Sequence, residues 1–271
     1  NYLSMDESYY TVLTSDTNNS SGKSTAKGYI WAALANHLKL VHFFYENGSR
    51  SRKVLTGYLR EDYRGAIQSD GLGNYKIIEK EAYPDAIRLS CFQHCKRKFL
   101  NITGNKDAEK IVRIINRLYQ NEHRIPPDWT ACQILDYRNK YAPPILKELK
   151  EELINIKSTL PKSELSKAIN YTLNEYDALC NYIRSADYAP DNNAIERLMR
   201  YISLSRRNSL FCGSHQGAKR AALIYSLACS CRLNNINSFE YFKDLLTKLI
   251  DINPNTDHET IRNLLPHKWQ R

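Results

Sequence analysis

The strongest constraint on the fold is a change of character near residue 93. Before it the apolar residues cluster in short runs bounded by turn-forming residues, the pattern of strands. After it they recur at helical spacing for most of the chain. Residues 2–13 (YLSMDESYYTVL) are rich in β-formers, and a polar loop, DTNNSSGKST, follows. Residues 28–36 (GYIWAALAN) and 39–46 (LKLVHFFYE) predict two more strands, joined closely enough to pair. Residues 50–62 read as an amphipathic helix, GAIQSD (65–70) as a short strand ending in an acid, 74–82 as a short helix and AIRLSCF (86–92) as a buried strand.

The helical remainder divides in two. Ile111, Ile114, Ile115 and Leu118 mark one helix. Residues 128–157 predict one or two more, broken at Pro143-Pro144. Ser163 is placed to cap a helix running through Leu165, Ile169, Leu173, Tyr176 and Leu179. After the turn ADYAPDNN a new helix starts near Asn193. Residues 220–233 read as a buried helix, and 238–250 as an amphipathic one capped by Ser238, with Phe239, Phe242, Leu245, Leu246 and Leu249 inward. The expected class is α/β: an RNase H-like mixed sheet flanked by helices, with a first core part at 1–100, an all-helical insertion at 101–188 and a second core part at 189–271.

Three acids stand out by position. Asp6 lies inside the first apolar strand, Asp70 ends the fourth, and Glu196 falls in the first turn of a later helix. In an RNase H-like sheet the first and fourth strands are neighbours, so Asp6 and Asp70 would converge and a helix across that edge could add Glu196. Hard carboxylate oxygens suit Mg²⁺, with Mn²⁺ as a substitute, and two such ions can drive an in-line phosphoryl displacement. Each acid also has a structural explanation. Asp6 alternates with Tyr2 and Ser4 on a face that could meet solvent. Asp70 precedes Gly71 and Gly73 and could open a turn. Glu196 stands three residues after Asn193, a capping-box spacing.

The net charge of +10 favours a polyanionic partner, because cations gain affinity by displacing counterions from phosphates. Between residues 197 and 220 stand Arg197, Arg200, Arg206, Arg207, Lys219 and Arg220, with no acid among them. Such a run is commonly a solvated face; mixed with Tyr201, Asn208 and Phe211 behind Glu196, it is a candidate DNA surface. Lys96, Arg97 and Lys98 form a second basic cluster, opened by His94, which could contact DNA or a metal-bound phosphate. Cys91, His94 and Cys95 have the look of a zinc half-site, though the spacing is poor for a closed one and Cys91 also reads as the end of a buried strand. Asp191 and Asn192 precede the Glu196 helix as a cap or as a brace for the acids. Seven cysteines, an odd number in a core-rich chain, point to a reducing, cytoplasmic compartment. No apolar run approaches the roughly 20 residues that span a membrane. The chain opens on Asn1 and reads as a fragment of something longer.

Five blocks in order along the chain resemble the DDE transposases of the insertion-sequence sixty-six family: YLSMDESYYTVL, KGYIWA, GAIQSDGLGNY, CFQHCKRKF and DNNAIERLMRYISLSRRNSLFCGSHQGAKRAALIYSL. The resemblance implies that Asp6, Asp70 and Glu196 are the catalytic, metal-holding triad, with a helical insertion between the second and third. It implies DNA as substrate, as element terminal repeats and as target, and a homodimer in the active complex. It also implies an N-terminal part with a zipper-like helix and a zinc-binding segment, neither of which this sequence carries. Departures are small: Ser8 follows Asp6-Glu7 where the family has Thr, Leu72 stands where Tyr is commoner, and Cys95 replaces Ala. An RNase H-like nuclease without strand transfer and a non-catalytic DNA-binding remnant are the competing expectations.

Overall fold

A computed structural model of the chain describes residues 2–13, 24–71, 82–157, 163–253 and 255–270. The fold is mixed α/β. Five strands carry both antiparallel and parallel pairing. The chain packs as two compact units and passes between them three times. One, here the helical unit, is Asn1–Tyr2 with Thr56–Asn193; the other, the meander unit, is Leu3–Leu55 with Ala194–Arg271. The helix expected at 74–82 falls almost wholly outside the described residues.

The meander unit is built on β1 (Tyr2–Leu13), β2 (Thr25–Ala35) and β3 (Leu40–Phe44); β2 and β3 pair as expected, and all three run antiparallel to their neighbours. Only β1's first residue, Tyr2, belongs to the helical unit. Alternate residues Tyr10 and Val12, Ile30, Ala32 and Leu34, and Val41, Phe43 and Tyr45 share one core. Two-residue periodicity puts each set on one face of its strand. That core is closed by Ile195, Leu198, Met199 and Ile202 of α6 (Asn193–Asn208) and Ala218, Ala222 and Cys229 of α7 (His215–Leu233).

α7 also covers the edge of β3. Buried Ser230 accepts from the Val41 N–H at 3.0 Å and Ser226 from the Phe43 N–H at 2.7 Å; Ser230 donates back to the Val41 carbonyl, while the single proton of Ser226 has the Ala222 carbonyl at 2.8 Å nearer than that of Phe43 at 3.2 Å. Four residues along a helix match two along a strand closely enough for both serines to reach. The outward N–H groups of Val41 and Phe43 on this edge strand, a usual point of unwanted pairing, are thereby satisfied. The expectation of a buried helix at 220–233 is corrected in part: α7 starts earlier, at His215 behind a Ser214 cap, and Leu223 and Ile224 are exposed.

α8 (Ser238–Leu249) also departs from expectation. Its cap is Asn237, whose side chain accepts from the Phe239 and Glu240 N–H groups, and Ser238 is already helical. Its inward residues are Tyr241 and Leu245, packed with Cys231 and Trp269; of the residues expected inward Leu245 is buried and Phe242 packs beside it, while Phe239, Leu246 and Leu249 are exposed. Two apolar stripes compete on this helix. The one containing Tyr241 wins because its hydroxyl reaches the Leu264 carbonyl at 2.8 Å and its ring meets Trp269.

In the helical unit β4 (Ala66–Gln68) and β5 (Ile87–Leu89) pair in parallel, with Ala66 opposite Ile87 and Gln68 opposite Leu89. α1 (Arg52–Tyr58) leads in, and the Tyr83 hydroxyl donates to the Thr56 and Leu59 carbonyls at its C-terminal end. Helix α2 (Phe92–Leu100) follows β5, burying Phe92, Cys95 and Phe99. α3 (Lys106–His123) is capped by Asn105, and α5 (Glu164–Cys180) by Ser163 as expected, the Ser163 hydroxyl accepting from the Ser166 N–H at 3.2 Å. Between them α4 (Ala131–Lys157) runs unbroken through Pro143 and Pro144. This corrects the expected break. Each proline forfeits a backbone bond at a cost of about 3 kcal/mol. Ala142, Ile145, Leu146 and Leu149 are buried on either side, each large aliphatic worth about 1.5–3 kcal/mol. Just upstream, buried Arg138 grips Glu122 of α3 with Nε and Nη2 and donates to the Ser185 carbonyl at 2.7 Å.

Candidate functional site

The second acid is placed by the pairing of two short strands. Gln68, the last residue of β4, is fully buried. Its amide donates to the Ala189 carbonyl at 2.7 Å, and its oxygen accepts from the Tyr2 hydroxyl. The Ser69 N–H donates to the Leu89 carbonyl at 3.2 Å. Asp70 therefore lies two residues beyond the strand end rather than on it, at the C-terminal edge of a parallel pair, where ligand sites gather in open α/β sheets.

Asp70 lines a cavity of about 320 Å³ with Gly71, His94, Arg97, Lys98, Asn101 and Tyr171. Four of these, Asp70, His94, Arg97 and Lys98, were singled out in the sequence, and the helical unit brings them together because α2 starts immediately after β5. Gly71, Asn101 and Tyr171 were missed. Asn101 closes the C-terminal end of α2. Tyr171 comes from α5, a hundred residues on, and no sequence pattern connects it with Asp70. Lys96, on the same helix, turns its ammonium over the Tyr119 ring at 5.7 Å instead of into the cavity.

Asp191 and Asn192 lead into α6. Asp191 accepts from the Asn193 backbone N–H at 3.0 Å and from the Asn193 side chain at 2.8 Å, an Asx turn leading into α6. Tyr119's hydroxyl is pushed up from its ordinary value by burial first and by the Asp191 charge second. The buried Asn192 gives its N–H to Cys91 Sγ at 3.3 Å. Burial pushes the neighbouring Cys95 thiol far above its ordinary value.

In the meander unit Asp6 sits mid-strand on β1, opposite Ala32, its Oδ1 accepting from the Glu7 N–H at 2.9 Å. Glu7 is held by Arg50 at 2.7 Å, and Arg50 lies over the Tyr29 ring at 4.8 Å. Glu196 lies in the first turn of α6. Asp6 and Glu196 are both half-buried, as is Asp70 in the other unit.

Arg197, Arg200 and Arg207 are exposed on α6, and Lys219 and Arg220 on the first turns of α7. Arg206 behaves differently. Its guanidinium stacks on the Tyr9 ring at 3.7 Å and donates to Ser8 Oγ, the Tyr9 carbonyl and Ser203 Oγ at 2.6–3.0 Å. It ties α6 to β1.

The family model described as "Transposase IS66 family" matches residues 1–220. The chain belongs to the IS66 transposase family. Three curated relatives from Sinorhizobium fredii, all named as uncharacterized proteins, are similar along most of the chain. One, y4jD, is 30% identical over 77% of this chain and 42% of its own length. A second, y4hP, is 28% identical over 83% of this chain and 42% of its own length, and y4qI is 26% identical over 89% and 47%. This IS66-family chain therefore spans less than half the length of the curated relatives it matches. No helix among the described residues is long and apolar enough to cross a membrane.

Proposed function

We propose that the chain is the catalytic core of a DNA transposase, which cuts at element ends and joins the freed 3′-hydroxyl to target DNA, with Asp6, Asp70 and Glu196 as the metal-holding carboxylates. In this reading the fold is RNase H-like and the helices of 101–188 are an insertion between the second and third acids. The observation that carries it is the Asp70 cavity. A cavity lined by Asp70 together with Arg97, Lys98 and His94 suits a ligand that is itself mixed in charge, a cation bound to a phosphate diester. Family membership supplies the substrate class.

The donor set is three carboxylates, a hard-oxygen set that fits Mg²⁺ or Mn²⁺. When bound, such ions, two in this proposal, activate the attacking oxygen and stabilise the leaving one. The residues of the chain supply the rest. Arg97 and Lys98 hold phosphate oxygens beside Asp70. The exposed Arg197, Arg200, Arg207, Lys219 and Arg220 extend the grip along the backbone of element or target DNA, and Arg206 keeps α6 on β1 while they do so. Joining two element ends calls for two copies, so the active complex is proposed as a homodimer.

The test uses the full-length protein and labelled element ends with Mn²⁺. Asp70→Asn is expected to abolish cleavage and joining while DNA binding persists, and Asp6→Asn and Glu196→Gln are expected to do the same. Retained cleavage in Asp70→Asn would sink the triad. Cleavage by the wild type with no joined product would favour a nuclease over a transposase.

A further inference from the structure

We propose that Tyr171 is a positioning residue for the Asp70 cavity: its hydroxyl fixes the peptide that follows Asp70, and its ring seats the Lys98 ammonium toward the substrate phosphate. The inference rests on the reading of Asp70 as a metal-holding carboxylate.

Three observations converge on this side chain. The Gly71 N–H donates to the Tyr171 hydroxyl at 3.1 Å. A Cβ on Gly71 would collide with that hydroxyl and come within 2.8 Å of ring carbons, so the backbone lies as close to the ring as only glycine allows. From the cavity side Lys98 Nζ stands 4.2 Å from the ring centroid, a cation–π distance. Gly71, Lys98 and Tyr171 all line the cavity that holds Asp70.

A purely structural role explains this poorly. Leu165, Ala168, Ile169, Thr172 and Leu179 of α5 are fully buried, whereas Tyr171 is half-buried: its ring packs against the margin of that core and also lines the cavity. Burial first, and then the neighbouring Cys95 and Glu175, push its hydroxyl well above the ordinary phenol value, so it stays neutral. A neutral phenol can accept the Gly71 N–H and sit beneath an ammonium without neutralising it. The backbone at Asp70 is then held before metal arrives, and Lys98 is held before phosphate arrives. That is preorganisation of both halves of the ligand by one residue on another element.

The experiment separates hydroxyl from ring in the full-length protein. Mn²⁺ binding is followed by loss of the free-ion EPR signal, and binding to a random-sequence DNA duplex by fluorescence anisotropy in EDTA. Tyr171→Phe is expected to weaken Mn²⁺ binding about 3–10-fold, the worth of one hydrogen bond, and to leave DNA affinity unchanged. Tyr171→Leu is expected to add a loss of DNA affinity of about 2–5-fold, the scale of an exposed cation–π contact. Gly71→Ala is expected to weaken Mn²⁺ binding, and combining it with Tyr171→Leu should weaken it no further. Wild-type Mn²⁺ binding in Tyr171→Phe overturns the proposal, as does unchanged DNA affinity in Tyr171→Leu. Asp70→Asn serves as the reference. If it binds Mn²⁺ like the wild type, the reading of Asp70 fails; if it does not while Tyr171→Phe does, only the role of Tyr171 fails.

Discussion

Arg88 sits on β5, and its guanidinium meets Glu175 of α5 at 2.6 Å, with 8% and 0% of the two side chains exposed. Taking either charge out of water alone is costly, so the pair stands or falls together. We predict that Arg88→Met lowers stability by about 3–5 kcal/mol, because it leaves the Glu175 charge buried without its cation. Arg88→Met with Glu175→Leu should recover most of that loss. Urea midpoints check this, and a wild-type midpoint for the single variant would rule it out. At this scale the sequence was legible only where chemistry repeats. Asp6, Asp70, His94, Arg97 and Lys98 could be picked out by type and position. Tyr171, Arg138 and the Arg88–Glu175 pair could not, because each depends on a partner far along the chain. Arg206 looked like its neighbours in the basic run, and only its partners Ser8 and Tyr9 set it apart.

Elements with one dominant apolar stripe were readable, and those with two were not. α3 and α5 have a single stripe and a side-chain cap, and both fall where the spacing puts them. α4 defeats the proline rule because burial on both sides outweighs two lost bonds. α8 turns its less obvious stripe inward because Tyr241 finds a carbonyl and Trp269 there. The two serines of α7 were invisible in RAALIYSLACSCRL, since their partners are backbone groups of β3. We predict that Ser226→Ala with Ser230→Ala costs about 1–3 kcal/mol for each β3 N–H left unsatisfied, with aggregation rising as that edge opens. Thermal unfolding followed by light scattering reads both. A double variant as stable and as monodisperse as the wild type would remove the serines from this role.

For the whole molecule, the helical unit is almost one continuous stretch set inside the other, needing only Tyr2 from elsewhere. Its core draws on β4, β5 and α2 to α5. We predict that residues 56–193 expressed alone unfold cooperatively and keep the helix content of the intact chain, at reduced stability because Gln68 loses the Tyr2 hydroxyl. Circular dichroism with urea titration checks it, and a non-cooperative melt would show that the unit needs the rest of the chain. The same interruption has a consequence during synthesis. β1, β2 and β3 leave the ribosome well before α6 and α7, which complete their core and follow only after residues 56–193 have been made. At about 5–20 residues per second that is a delay of roughly seven to thirty seconds. Throughout it Val12, Ile30, Leu34 and Phe43 lack their helices and the β3 edge lacks its serines, so the nascent chain must pass through a sticky interval that the finished protein never shows.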